Sequence, residues 1–333
     1  MSRDCVIVIP TTDRPEMLRA ALASVRRQLA IDRVSRVIVS ENADGRETAG
    51  VCSDFADLPI QYLCQDPPLG GTEHIAQLLA MTSEPYVAFV CDDDWWAPSH
   101  LAVALKELDR NRDCSAHLSA YIWSDGEVAT RSGTDGQELL WIAAGCPPAQ
   151  SAWRIEPDAV LALCTLLTPF TWSSTVMRRV GVERVVKALR AQHITILDDR
   201  AFFPALARAG TILYEPTVDT YYRVHPGNYT RGMDPELLLR LRGQGSAEFQ
   251  ARAEERGVDV ASMVARWHSL LSPLAARQMT RYLLSELGYA RSVALGIPQR
   301  QASRAVVRYA VRRLRALVEY RLKVALGYWN SDH

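Results

Sequence analysis

At 333 residues the chain is long enough for one large domain with an appendage, or for two domains. A formal net charge of zero gives no global attraction to nucleic acid, and 48% hydrophobic with 23% charged residues excludes a disordered or fibrous chain. The basic residues are almost all arginine; Lys106, Lys187 and Lys323 are the only lysines. Cys5, Cys52, Cys64, Cys91, Cys114, Cys146 and Cys164 are odd in number and never spaced CxxC, which points to free thiols in a reducing compartment rather than zinc or disulfides. The first apolar run ends at Pro10, too short for a signal peptide, and no stretch reaches the ~18 apolar residues of a membrane span. The expected location is cytoplasmic.

In chain order, Val6-Ile-Val-Ile-Pro10 reads as a buried strand stopped by proline. Thr11 to Pro15 forms a loop, with Asp13 as the expected N-cap of a helix through Met17, Leu18, Ala21, Leu22 and Val25. A second strand, Val37 to Ser40, ends in the turn-rich Glu41-Asn-Ala-Asp-Gly45. A short strand, Ile60 to Leu63, leads to Asp66-Pro-Pro-Leu-Gly-Gly71, and a helix is expected from Thr72, its cap, to Met81. Tyr86-Val-Ala-Phe-Val-Cys91 then has the unbroken apolar character of a strand covered on both faces. It ends in Asp92, Asp93 and Asp94, where open α/β sheets place their ligands. Three adjacent carboxylates repel one another, and a divalent cation taking oxygen ligands, Mg²⁺ or Mn²⁺, is the simplest compensation; the alternative is an acidic loop capping the helix from Ser99 to Asn111. Four strands alternating with three helices over the first 111 residues predict a mostly parallel α/β sheet flanked by helices. The chain has neither GxGxxG after the first strand nor GxxxxGK[ST], which argues against a dinucleotide Rossmann enzyme and a P-loop ATPase.

Residues 112–175 carry weaker patterns. His117 to Trp123 alternates as a strand does, Ser124 to Gln137 is turn-rich, and Thr171 to Met177 has strand composition. Val182 to Ala191 is helical in pattern, and Ile194-Thr-Ile-Leu-Asp-Asp199 is a second apolar run ending in carboxylates, before a helix from Arg200 to Ala209. Thr211 to Tyr214 and Asp219 to Val224 are β-rich, closing on His225-Pro-Gly-Asn-Tyr229. Beyond Met233 nearly everything is helical, with breaks expected near Gly243–Ser246, Gly257, Pro273 and Gly296–Pro298. From Arg300 to Lys323 an apolar stripe faces a basic one; such a helix either lies on an anionic membrane surface or packs with a solvated basic face.

The Pro10-Thr11-Thr12 turn, the Glu41 turn, the aspartate triplet and Leu197-Asp-Asp199, in this order, resemble glycosyltransferase family 2 across residues 5–230. Phe89-Val-Cys-Asp-Asp-Asp-Trp-Trp-Ala-Pro98 resembles that family's DxD-type metal segment, and Tyr222-Arg-Val-His225 the strand end that closes its core. The resemblance implies a GT-A fold, an inverting reaction with a nucleotide-sugar donor, a Mn²⁺ or Mg²⁺ cofactor and a glycan, glycolipid or other hydroxyl acceptor, in bacterial surface polysaccharide or glycoconjugate synthesis. It divides the chain into a GT-A domain over 1–232 (a nucleotide-sugar half, 1–111, and an acceptor half, 112–232) and a helical region over 233–333.

Residue by residue, it implies Asp93 as metal ligand with Asp94 as the alternative, Asp92 nearer the ribose, and Asp199 or Asp198 as the base that deprotonates the acceptor. Pro10, Thr11, Thr12, Arg14, Glu41, Asp66 and Gly70 fall where the nucleotide-sugar is expected, Glu41 being able to accept a base ring N–H. His225 is either a metal ligand or a loop residue, and Trp95 and Trp96 either stack on a sugar or form core. Cys91 stands where the family often has a carboxylate, Asp198 where it usually has Glu, and Glu41 where it usually has Asp. Two other readings compete: a sugar nucleotidyltransferase, which needs a glycine-rich basic loop that Thr11-Thr-Asp-Arg14 lacks, and a non-catalytic carbohydrate-binding protein.

Overall fold

Alternation decides how the first strand sits. In β1 (Cys5–Thr11), Val6 and Val8 enter one hydrophobic cluster and Cys5, Ile7 and Ile9 the other, so the strand is buried on both faces. The computed structural model describes residues 3–43, 46–124, 129–132, 137–148, 152–166, 170–191, 198–228, 235–295 and 297–303, at some positions by backbone alone. Helix α1 (Pro15–Arg26) follows, then β2 (Val34–Glu41), α2 (Arg46–Ser53), β3 (Ile60–Cys64), α3 (Gly71–Ala80) and β4 (Tyr86–Phe89). The two-residue β5 (Trp95–Trp96) precedes α4 (His100–Arg110), β6 (Cys114–Ser124), β7 (Ala129–Ser132), α5 (Gln137–Ala143), β8 (Trp153–Ile155) and α6 (Pro157–Leu166). Next come β9 (Thr175–Arg178), α7 (Arg179–Arg190), α8 (Asp198–Ala209) and β10 (Thr211–Arg223), then α9 (Pro235–Glu254), α10 (Val260–Leu270) and α11 (Pro273–Ala294).

Among the described residues these strands form one sheet in the order β3-β2-β1-β4-β9-β6-β10-β5, with β7 beside β6 and β8 beside β10. The first four are mutually parallel, β9 runs antiparallel to both β4 and β6, and β10 lies parallel to β6. The expected mostly parallel sheet flanked by helices is therefore present. One face is covered by apolar residues of α1 and α4, including Leu18, Leu22, Leu101 and Leu105; the other by those of α3, α6, α7 and α8. Val264, Trp267, Leu283 and Leu287 of α10 and α11 join this second cluster, so the C-terminal helices share a core with the sheet.

Several local expectations change. Helix α1 is capped at Arg14, not Asp13: Asp13 takes φ +51°, a left-handed conformation that aspartate tolerates, and donates its N–H to the Glu41 carboxylate. Gly70, not Thr72, is the N-cap of α3, because its extended backbone lets the helix start one residue earlier. The turn-rich stretch after Glu41 leads into α2, a helix too short to show clear periodicity. In 112–175 the unforeseen elements are β7, α5, β8 and α6; α6 is buried all round, which erases amphipathic signal. Thr211–Tyr214 and Asp219–Val224 prove to be one strand, β10, whose pairing with β6 shifts register between Glu215 and Thr220. The break expected at Gly243–Ser246 does not occur: α9 runs through it, and the buried Ser246 hydroxyl donates to the Thr165 carbonyl of α6. Small residues there let two helices approach.

Candidate active site

The three aspartates follow β4 directly, at the same edge as the loop after β1 and the end of β10. Each is held differently. Asp92 is buried; it accepts from the Thr11 hydroxyl at 2.7 Å and from Arg14 Nη1 at 3.4 Å. Burial and the charge of Asp93 push its pKa up to about 6, against the hydrogen bond from Thr11 and the charge of Arg14. Asp94 is buried deeper; one oxygen accepts from the Ser173 hydroxyl at 2.5 Å and the other from the Arg223 N–H at 2.9 Å. Burial first, and Asp93 second, push its pKa well above the usual carboxylate range. Asp93 lies between them and is the most accessible of the three. Its Oδ2 receives Arg14 Nη1 at 3.3 Å and lies 3.1 Å from His225 Nε2.

The second region supplies the struts. Ser173, fully buried in a turn at Trp172–Ser174, also accepts the Cys91 N–H at 3.0 Å, and its carbonyl accepts the Trp96 indole N–H. Arg223 ends β10 with its Nε on the Asp93 carbonyl and its guanidinium over the Trp95 ring, which stacks on Tyr221. Past β10, the 225–228 turn is self-supporting: Asn228 accepts the His225 N–H and donates to the Arg223 carbonyl. Arg14 Nη2 reaches this turn at the Gly227 carbonyl, 3.0 Å away. Trp95 therefore packs inside the site wall, and Trp96 is core, stacked on His100.

The loops after β1, β2 and β3 are stitched together beside the aspartates. Asn42 donates its backbone N–H to the Thr11 carbonyl, and its side-chain amide both accepts from and donates to Leu69, in the loop that holds Asp66 and Gly70. Thr12, Asp66 and Gly70 are exposed on this rim, and Pro10 is half-buried at the end of β1. Glu41 is different. It is fully buried, and its oxygens take the Asp13 N–H and, at 2.6 Å, the Thr48 hydroxyl. Its carboxylate holds the β1–α1 turn through the Asp13 N–H. Sequence reading had passed over Asn42, Thr48, Ser173 and Arg223. Only Arg223, one step from His225 in the segment Tyr222-Arg-Val-His225, carried a signal.

Asp198 and Asp199 open α8, but their side chains lie outside the described residues. One turn further on, Phe202 stacks on Trp172 with ring centroids 4.2 Å apart, and Trp172 adjoins the Ser173 that holds Asp94. The start of α8 is thus tied to the aspartate turn through one aromatic pair.

A Cys91 Sγ, an Asp93 oxygen and an Asp94 oxygen lie within 4.8 Å of one another. Two carboxylates suit a hard cation with oxygen preference, whereas burial pushes the Cys91 thiol well up, leaving it a neutral, soft neighbour. With both Asp94 oxygens occupied by protein donors, Asp93 offers the freer ligand atoms, and His225 lies against it. The donor set fits a divalent cation centred on Asp93.

The family model described as Glycosyl transferase family 2 matches residues 6–185. No curated protein matches the chain in sequence. Among solved structures, the mannosyltransferase PcManGT from Pyrobaculum calidifontis, in complex with GDP-Man and Mn²⁺, is 17% identical, with a TM-score of 0.57 over 99% of this chain and 88% of its own. Staphylococcus aureus TarS residues 1–349, in complex with UDP, is 14% identical, with a TM-score of 0.50 over 90% of this chain and 89% of its own. Against a longer TarS structure the chain spans 54% of that protein's length. At such identities these likenesses establish the fold, which is the GT-A fold.

Proposed function

The chain belongs to glycosyl transferase family 2, and on that premise we propose a metal-dependent, inverting transfer of a sugar from a nucleoside-diphosphate donor to a hydroxyl acceptor, in building a bacterial surface polysaccharide or glycoconjugate. The observation that carries the reading is the aspartate turn: three carboxylates converge beside Arg14 and His225 at the strand ends, with Asp93 left accessible. The family match supports glycosyl transfer over nucleotidyl transfer or a purely carbohydrate-binding role. PcManGT and TarS, crystallised with GDP-Man and UDP, support a nucleotide-sugar donor.

Asp93, with Asp94 and His225 near it, would hold Mn²⁺ or Mg²⁺, which when bound neutralises the charge gathering on the departing diphosphate. Asp92, fixed by Thr11, faces the donor's ribose side, and the exposed rim of Thr12, Asp66 and Gly70 borders the nucleotide. Asp199, with Asp198 second, takes the proton of the acceptor hydroxyl as its oxygen bonds to the anomeric carbon and the bond to the diphosphate breaks on the opposite face. The Phe202–Trp172 stack supports this assignment, because it anchors the first turn of α8 beside the aspartates. The donor half is placed at 1–111, the acceptor half at 112–232 and the helical region at 233–333. No described helix is long and apolar enough to cross a membrane. The basic segment 300–323, for which the sequence pattern predicts a helix and which beyond Ser303 lies outside the described residues, is proposed to rest on the inner face of the plasma membrane.

The test is donor turnover against a panel of UDP-, GDP-, CDP- and dTDP-sugars with Mn²⁺, Mg²⁺ or EDTA. Asp199→Asn is expected to cost ~10²–10⁴-fold in kcat, and Asp93→Asn to abolish the dependence of turnover on added Mn²⁺ or Mg²⁺ together with most of the activity. Full turnover in EDTA would overturn the metal mechanism, and an unimpaired Asp199→Asn would remove the assigned base.

A further inference from the structure

The Arg14 guanidinium lies against Asp93, the carboxylate at the centre of the cation reading, and against its neighbour Asp92. Its Nη1 is 3.4 Å from Asp92 Oδ1 and 3.3 Å from Asp93 Oδ2, and its Nη2 donates to the Gly227 carbonyl at 3.0 Å. The side chain remains about one-third exposed (32%), so it has room to swing, while Asp92 and Asp93 are largely enclosed. We propose that Arg14 is an exchangeable counter-ion: before the donor arrives its guanidinium, paired with Asp92 and Asp93, supplies the positive charge that the cation would bring to Asp93, and the donor's diphosphate draws it away. The inference rests on the metal reading given above and adds an order and a cooperativity to it.

Three features point the same way. Arginine does not deprotonate at any physiological pH, so it cannot become neutral to admit a second positive charge; it has to move. A divalent ion entering a few ångströms from a retained guanidinium meets direct repulsion, weakly screened in a partly buried site. The surroundings also survive its departure. Asp92 keeps the Thr11 hydroxyl, Asp93 keeps His225, and the 225–228 turn keeps both Asn228 hydrogen bonds. The guanidinium can therefore leave without dismantling what it touches. A diphosphate is its natural destination, since a guanidinium pairs with phosphate oxygens in the same forked geometry as with carboxylates. Cation and nucleoside diphosphate then assist one another: each relieves the charge imbalance that the other's binding creates.

The measurement is Mn²⁺ affinity by titration of the full chain, followed by the paramagnetic resonance of free Mn²⁺, without nucleotide and with UDP or GDP. In Arg14→Gln and Arg14→Met, Mn²⁺ alone should bind about tenfold tighter than in the wild type, and the improvement brought by UDP or GDP should shrink by a similar factor, in the range usual for coupled sites. Arg14→Lys keeps the charge and should stay near wild type. Loss of a merely structural contact would weaken Mn²⁺ binding or leave it unchanged, so either result in the two neutral variants overturns the proposal. Thermal unfolding gives a second reading, in which added Mn²⁺ should raise the Tm of Arg14→Gln by more than that of the wild type. If wild-type protein binds Mn²⁺ neither alone nor with UDP or GDP, the metal reading itself fails, and the counter-ion role fails with it.

Discussion

Residues 5–111 and 112–223 build their shares of the sheet by different means. In the first stretch β1 to β4 are all parallel, and the loops at their carboxyl ends are tied to one another through Asn42, Glu41 and Thr48. In the second, β9 is antiparallel to both its neighbours and β10 carries register shifts along its length. The aspartates belong to the first stretch, where Thr11 and Arg14 hold Asp92, yet Ser173 and Arg223, which hold Asp94, belong to the second, and His225, against Asp93, follows directly after it. The regular part of the fold carries the acidic groups, and the irregular part supplies the hydrogen bonds that hold Asp94.

The strongest way to test that division is to remove packing on each side. Phe202→Ala should cost ~3–5 kcal/mol of stability in urea unfolding, since it leaves a cavity against Trp172. It should also lower kcat per folded molecule. Leu22→Ala, equally buried in the first stretch, should cost ~2–5 kcal/mol with kcat per folded molecule unchanged. Equal effects on kcat would erase the distinction. A finer comparison sets Ser173→Ala against Thr48→Ala. Each strips a hydroxyl donor from a buried carboxylate and should cost ~1–3 kcal/mol. Only Ser173→Ala is expected to reduce kcat markedly, because Asp94 and the Cys91 N–H both lose a partner there.

The smallest expected effect is one of pH. His100 and His117 are buried beside the second stretch, and burial pushes each pKa down to about 3 from 6.5; His100 is lowered further by His117. Between those values the unfolded chain binds more protons than the folded one, so their contribution to stability is complete above pH 6.5 and declines as pH falls toward 3. Unfolding free energy should therefore drop by up to about 1.4 kcal/mol per pH unit for each histidine. The window from pH 6.5 to 5 isolates them from most carboxylates. Among the described residues neither ring nitrogen of His117 has a hydrogen-bond partner, so His117→Leu should reduce this slope while changing stability at pH 8 little.

What could be read from the residues follows the same division. The β1, β2 and β4 strands were legible because their apolar runs are short, uninterrupted and bounded by turn residues, and the aspartate triplet stood out as clustered charge at a strand end. The support for it was not legible. Ser173 lies in a run of small polar residues with no periodicity, and its value comes from a turn whose hydroxyl reaches Asp94, 79 positions earlier. The partners of Glu41 were hidden for a related reason: a carboxylate after a strand reads as a ligand group, and nothing local shows that it also accepts from the Asp13 N–H and the Thr48 hydroxyl. Helix α6, buried on every side, could not show an amphipathic stripe.

The four residues of β9 pair with β4 on one side and β6 on the other, joining the two stretches within the sheet. The turn that delivers Ser173 runs directly into them. This places a natural splice point in the molecule. A chimaera that exchanges everything after Thr175 for the equivalent part of another enzyme would keep the Ser173 contact to Asp94 and import only the Arg223 and His225 contacts, whereas one cut upstream of Thr171 would import all three.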